Sequence, residues 1–94
     1  MNGLSDHDRE AISRVAASHG ATDVRVFGSV ARGQAGAASD IDLLIKLAPG
    51  RSLLDLIAIK QDVEDALHRD VDVVTEGSLS PYLREQVLRE AIRL

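Results

Sequence analysis

The sequence predicts an α/β (α+β) domain, a small β-sheet with helices packed on it. Three observations predict it. Apolar residues recur at helical spacing in some stretches and at period two in others, and the two patterns alternate along the chain. The two longer helical stretches each open on a serine followed three residues later by an aspartate. The strand candidates are short, and a helix or a loop separates each from the next, which favours helices layered on one sheet.

Taken in order, Ser5 caps the first helix, with Asp8 completing a capping box. Leu4, Ala11, Ile12, Val15 and Ala16 fall near one face, and Gly20 is the expected stop. Asp23 to Phe27 alternates Val24 and Val26 with polar neighbours and reads as a strand ending at Gly28. A short turn or helix runs to Arg32, followed by the small-residue loop GQAGAAS. Asp40 to Leu47 is the second strand, broken by Pro49 and Gly50. The connection between these strands suits an antiparallel or a mixed pairing, and spacing does not choose between them. Ser52 and Asp55 cap a second long helix to about His68, with Leu53, Leu56, Ile57, Val63 and Leu67 inward. Leu54 falls off that stripe and Ile59 lies at its edge, which marks a candidate partner surface. Val71 to Val74 is a third strand. Ser80-Pro81 opens the last helix, whose stripe of Leu83, Val87, Leu88, Ala91 and Ile92 is expected to be core.

With 94 residues the chain reads as one domain, 1–94, and 45% apolar and 28% charged residues suit a soluble globular core. A chain of this size buries roughly 60% of its unfolded surface. No cysteine is present, which excludes disulfides and zinc-thiolate sites and points to a reducing cytoplasm. No apolar run is long enough to span a membrane, and the acidic, polar N-terminus is unlike a signal peptide. The net charge of −4 argues against a phosphate-gripping basic face, so long nucleic acid is not an expected ligand. Phe27 and Tyr82 are the only aromatic rings, too few for a base-stacking platform.

The chemistry concentrates between Gly28 and Asp72. Asp40 and Asp42 lie two apart on a strand and share a face. Adjacent carboxylates repel unless a cation compensates, and magnesium prefers a few carboxylates plus substrate phosphates. Asp72, flanked by Val71, Val73 and Val74, reads as a third and buried carboxylate. Three converging carboxylates suit two metal ions flanking an in-line phosphoryl displacement. The Gly28-Ser29 turn lets backbone approach phosphate oxygens, Ser29 adds a hydroxyl, and Arg32 can neutralise a phosphate. His7, His19 and His68 lie near helix ends and read as surface or cap residues. Each piece alone has a bland reading: D-x-D occurs on ordinary surface strands and G-S in ordinary turns. Their ordered combination carries the signal.

The strings GSVARGQAGAASDIDLLI and, later, VDVV resemble the minimal nucleotidyltransferases, the MNT branch of the DNA polymerase β-like superfamily. The resemblance implies the polymerase β-like nucleotidyltransferase fold, with a small mixed β-sheet. It assigns Gly28, Ser29, Arg32 and Ser39 to nucleotide binding, and Asp40, Asp42 and Asp72 to catalysis and to Mg²⁺, with two ions expected. It further implies transfer of AMP from ATP to a tyrosine hydroxyl of a HEPN-domain RNase toxin, with this chain as the antitoxin in a hetero-oligomer. The chain is too short for a second, acceptor-holding domain, so an acceptor presented by a partner fits. A non-catalytic module that neutralises its partner by binding is the alternative. A small-molecule transferase would need a larger acceptor pocket. A haloacid-dehalogenase-type phosphatase would place a Thr where Leu44 stands.

Overall fold

The computed structural model describes residues 4–33 and 40–94. Helix α1 (Asp6–Ser18) leads into strand β1 (Ala21–Phe27) and the single turn α2 (Gly28–Ala31). Strand β2 (Ile41–Leu47), helix α3 (Leu53–Leu67) and strand β3 (Val71–Val74) follow. A 3₁₀ turn (Glu76–Ser78), helix α4 (Pro81–Glu90) and the two-residue strand β4 (Ile92–Arg93) complete the order.

Both expected capping boxes form. Ser5 Oγ accepts from the Asp8 amide at 3.1 Å, and Asp8 Oδ2 accepts from the Ser5 amide at 3.3 Å. Asp55 Oδ2 accepts from the Ser52 amide at 3.0 Å, while Ser52 Oγ accepts from the Leu54 amide at 3.3 Å. These bonds satisfy helix N–H groups that have no intrahelical partner. His19 and His68 occupy the C-caps of α1 and α3.

The sheet runs β3-β2-β1-β4 and is mixed, which answers the question that spacing left open. β1 pairs antiparallel with β2 and with β4, and β2 pairs parallel with β3. A parallel pair needs a crossover of a dozen residues or more, and α3 supplies it. Side chains alternate across the sheet. Val26, Ile41, Leu43, Ile45 and Val71 face the core and are fully buried with Ile12, Ile59 and Val63 of the helices. Asp42 and Leu44 therefore point to the opposite face.

Three expectations are corrected. In α3 the inward stripe is Leu56, Ile59, Val63 and Leu67, with Ile59 at 0% exposure. Leu53 (69%) and Ile57 (43%) are exposed together with Leu54 (76%). Leu53 heads the helix, and Ile57 and Leu54 turn progressively away from the stripe at about 100° per residue.

The last helix stops at Glu90 instead of running through Ile92. Ala91 is extended, and Ile92 and Arg93 pair with Val26 and Arg25. The Leu94 amide donates to Val24 O at 3.1 Å, so this tail covers the free edge of β1. Of the expected α4 stripe, Val87 is buried whereas Leu83 (55%) and Ile92 (40%) are exposed.

Asp72 is exposed rather than buried. The alternation that sends Val71 and Val73 into the core sends Asp72 to the open face. Among the described residues, no helix is long and apolar enough to cross a membrane.

Candidate active site

The parallel register sets Asp42 directly beside Asp72, and the antiparallel register sets Phe27 beside Asp42. Neighbours in register project to the same face, so two strands distant in sequence deliver two carboxylates to one spot. Asp40 stands exposed just before β2 begins. The electrostatics register this grouping. The half-buried Asp42 carboxyl is pushed above its usual range, first by burial, then by the charges of Asp72 and Asp40; Arg32 opposes the shift. Asp72, Asp40 and Arg32, all predicted from the sequence, thus act on Asp42.

Gly28 follows Phe27 and stands against the same carboxylate. Its φ is +73°, a left-handed value that glycine adopts without strain, and a Cβ there would collide with Asp42 Oδ2. The glycine is required both for the turn and for the room it leaves Asp42. Ser29 lies within α2, and Arg32 caps it. The Arg32 guanidinium also reaches the Glu90 carboxylate of α4 at 3.3 Å. Glu90 was not singled out in the sequence, because a partner 58 residues away leaves no local signal. Ser39 lies outside the described residues.

Two further side chains hold β3 in place. Lys60 Nζ donates to Val71 O at 2.6 Å and to Glu64 Oε2 at 2.9 Å, and that oxygen accepts from the Val71 amide at 3.0 Å. The pair satisfies both backbone groups of Val71 and anchors the residue preceding Asp72. The Val71 amide, then Lys60, hold the Glu64 carboxyl below its usual range. The bond to Glu64 raises the Lys60 ammonium in turn.

Among the described residues, no three carboxylate, imidazole or thiol groups gather into a self-sufficient metal cage. Magnesium needs none: it binds through one or two carboxylates and completes its octahedron with water and substrate phosphates. An all-oxygen anionic pair with an unrelieved ionisation penalty fits that ion, since a bound dication would reverse the penalty.

The mixed four-strand sheet carries paired aspartates beside a glycine turn, and residues 9–94 match the family model described as "Nucleotidyltransferase domain". The chain belongs to that family. It is 35% identical over 89 residues to the protein adenylyltransferase MntA of Thermococcus cleftensis, covering 95% of this chain and 86% of that protein. A solved structure provisionally described as a minimal nucleotidyltransferase superposes with a TM-score of 0.84 at 55% identity, covering 94% of this chain and 90% of that one. A toxin–antitoxin crystal structure with AMP-PNP superposes with a TM-score of 0.77 at 25% identity, covering 90% of this chain and 70% of that one.

Proposed function

We propose that residues 1–94 form one catalytic domain that transfers AMP from ATP to a tyrosine hydroxyl of a HEPN-type toxin, and so acts as its antitoxin in a cytoplasmic hetero-oligomer. The observation that carries this reading is the register of Asp42 with Asp72, with Gly28 pressed against the same carboxylate. Support comes from the protein adenylyltransferase relative and from the toxin–antitoxin neighbour with its bound ATP analogue.

In this reading the Gly28-Ser29 turn and Arg32 hold the triphosphate, with Ser39 beside it. Asp40, Asp42 and Asp72 would hold Mg²⁺, two ions by expectation, whose charge would offset that of the phosphates and of the acceptor phenolate. The acceptor oxygen forms a bond to the α-phosphorus as the bond to pyrophosphate breaks. Asp72, at the edge of the group and open to solvent, receives the hydroxyl proton. Catalysis here is positioning and charge placement.

The alternative is a non-catalytic antitoxin that neutralises by contact. The exposed Leu53, Leu54 and Ile57 favour a contact surface, whichever reading holds. The test is intact-mass spectrometry of the toxin encoded beside this chain after incubation with ATP and Mg²⁺. Adenylyl increments on the toxin, absent with the Asp40→Asn/Asp42→Asn variant, establish transfer. A stable complex without increments establishes the binding module.

A further inference from the structure

A cleft of about 850 Å³ opens on the same sheet face as the carboxylates, its walls including Arg25, Leu44, Lys46, Glu76, Leu88 and Arg93. Its volume is that of a ligand pocket. Its position along the strands is informative. Phe27 pairs with Asp42, and the Gly28 turn continues beyond that end of the sheet. In the other direction β2 runs from Asp42 to Leu44 and Lys46, into the cleft. Strands rise about 3.3 Å per residue, so Leu44 lies about 7 Å and Lys46 about 13 Å from the level of Asp42. Asp42 and Asp72 thus stand between the Gly28-Ser29 turn and the cleft.

In-line displacement places the attacking and leaving oxygens on opposite sides of the phosphorus. If pyrophosphate leaves on the side of the turn, the acceptor must enter from the side of the cleft. The charges of the cleft suit an acceptor with an anionic neighbour. Its walls carry three cations, Arg25, Lys46 and Arg93, against two carboxylates, Asp23 and Glu76, in a chain of net charge −4. Asp23 binds both arginines, Arg25 at 2.9 Å and Arg93 at 3.1 Å. Lys46 is exposed, and no ion pair engages it among the described residues. Neither Phe27 nor Tyr82 lines the cleft, so no aromatic ring waits there for a nucleobase.

We propose that this cleft receives the polypeptide segment that carries the acceptor hydroxyl, and that Lys46 recognises an acidic residue on it. The 13 Å to Lys46 places that residue about four positions from the acceptor in an extended segment. This rests on the transferase reading and names the acceptor's chemistry.

The test uses two synthetic peptides, each with one tyrosine and, four positions away on both sides, either Glu or Lys. Wild type, Lys46→Gln and Lys46→Glu proteins are compared for AMP transfer and, separately, for peptide binding by fluorescence anisotropy without ATP. Wild type is expected to favour the Glu peptide at least about tenfold, the scale of a close charge pair at an interface. Lys46→Gln loses the preference, Lys46→Glu inverts it, and the KM for ATP does not move. Lys46→Glu sits opposite Asp23 in the register, so Lys46→Gln guards against a folding defect. A rise in the KM for ATP in both variants would assign the cleft to the nucleoside and overturn the proposal, as would equal binding of both peptides by wild type. Lys46-dependent binding of the Glu peptide without any AMP transfer would keep the cleft and remove the transferase reading.

Discussion

Replacing Gly28 by alanine separates two roles of one residue. The first is conformational. A left-handed φ costs a non-glycine residue about 1–2 kcal/mol, and Gly28 has φ +73°. In a domain of this size each kcal/mol lowers Tm by about 4–8 °C. The second role is steric. The new Cβ would strike Asp42 Oδ2, and the carboxylate must move or rotate. A displacement of about 1 Å at a reacting centre can reduce rate about 100-fold. Gly50 provides the control, since its φ is +88° and nothing lies within 4 Å of a Cβ built there. Gly28→Ala and Gly50→Ala should lose similar amounts of Tm by calorimetry. Only Gly28→Ala should lose AMP transfer, by about 100-fold in kcat, when both are assayed well below their Tm. Equal activity in the two variants would refute the claim that the close approach of Gly28 sets the position of Asp42.

Three other outcomes follow from the same geometry. Asp42 has its carboxyl raised, so its proton binds more tightly in the folded state, and the stability this confers at low pH is lost as pH rises through the folded value. In chelator, Asp42→Asn should therefore match wild type in acid and exceed it increasingly in Tm as pH rises through the carboxylate range; parallel curves would contradict the site electrostatics. Lys60→Met removes a 2.6 Å bond to the edge of β3 and should cost about 1 kcal/mol, with a loss of kcat larger than that destabilisation explains and recovered by Lys60→Arg. Arg32→Ala should raise the KM for ATP several-fold with a small change in Tm, and unchanged nucleotide kinetics would remove Arg32 from the site.

The parts of this molecule legible in the sequence are those with local causes. A serine with an aspartate three residues on fixes the starts of α1 and α3, because the two hydrogen bonds span at most three residues. The β3 strand declares itself through Val71, Val73 and Val74, and S-D-I-D through its period of two. What stayed hidden depends on distant partners. Ile92 and Arg93 are strand only because the edge of β1 lies open beside them, and by spacing alone they continue the α4 stripe. The burial of Ile59, by contrast, has a local cause, since at about 100° per residue it shares one stripe with Leu56, Val63 and Leu67. Asp72 reads as buried among valines, yet period-two alternation sends it out on the face opposite to Val71 and Val73. The contact of Arg32 with Glu90 has no local trace.

The central claim is that these carboxylates move a nucleotidyl group, and the fate of each phosphate tests it most directly. Wild type and Asp42→Asn would be incubated with the proposed toxin partner, Mg²⁺ and ATP labelled at either the α- or the γ-phosphate. The expected result is label on the toxin from α-labelled ATP only, pyrophosphate release in step with it, and neither with Asp42→Asn. Transfer of the γ-label, or α-label transfer that persists in Asp42→Asn, would contradict it.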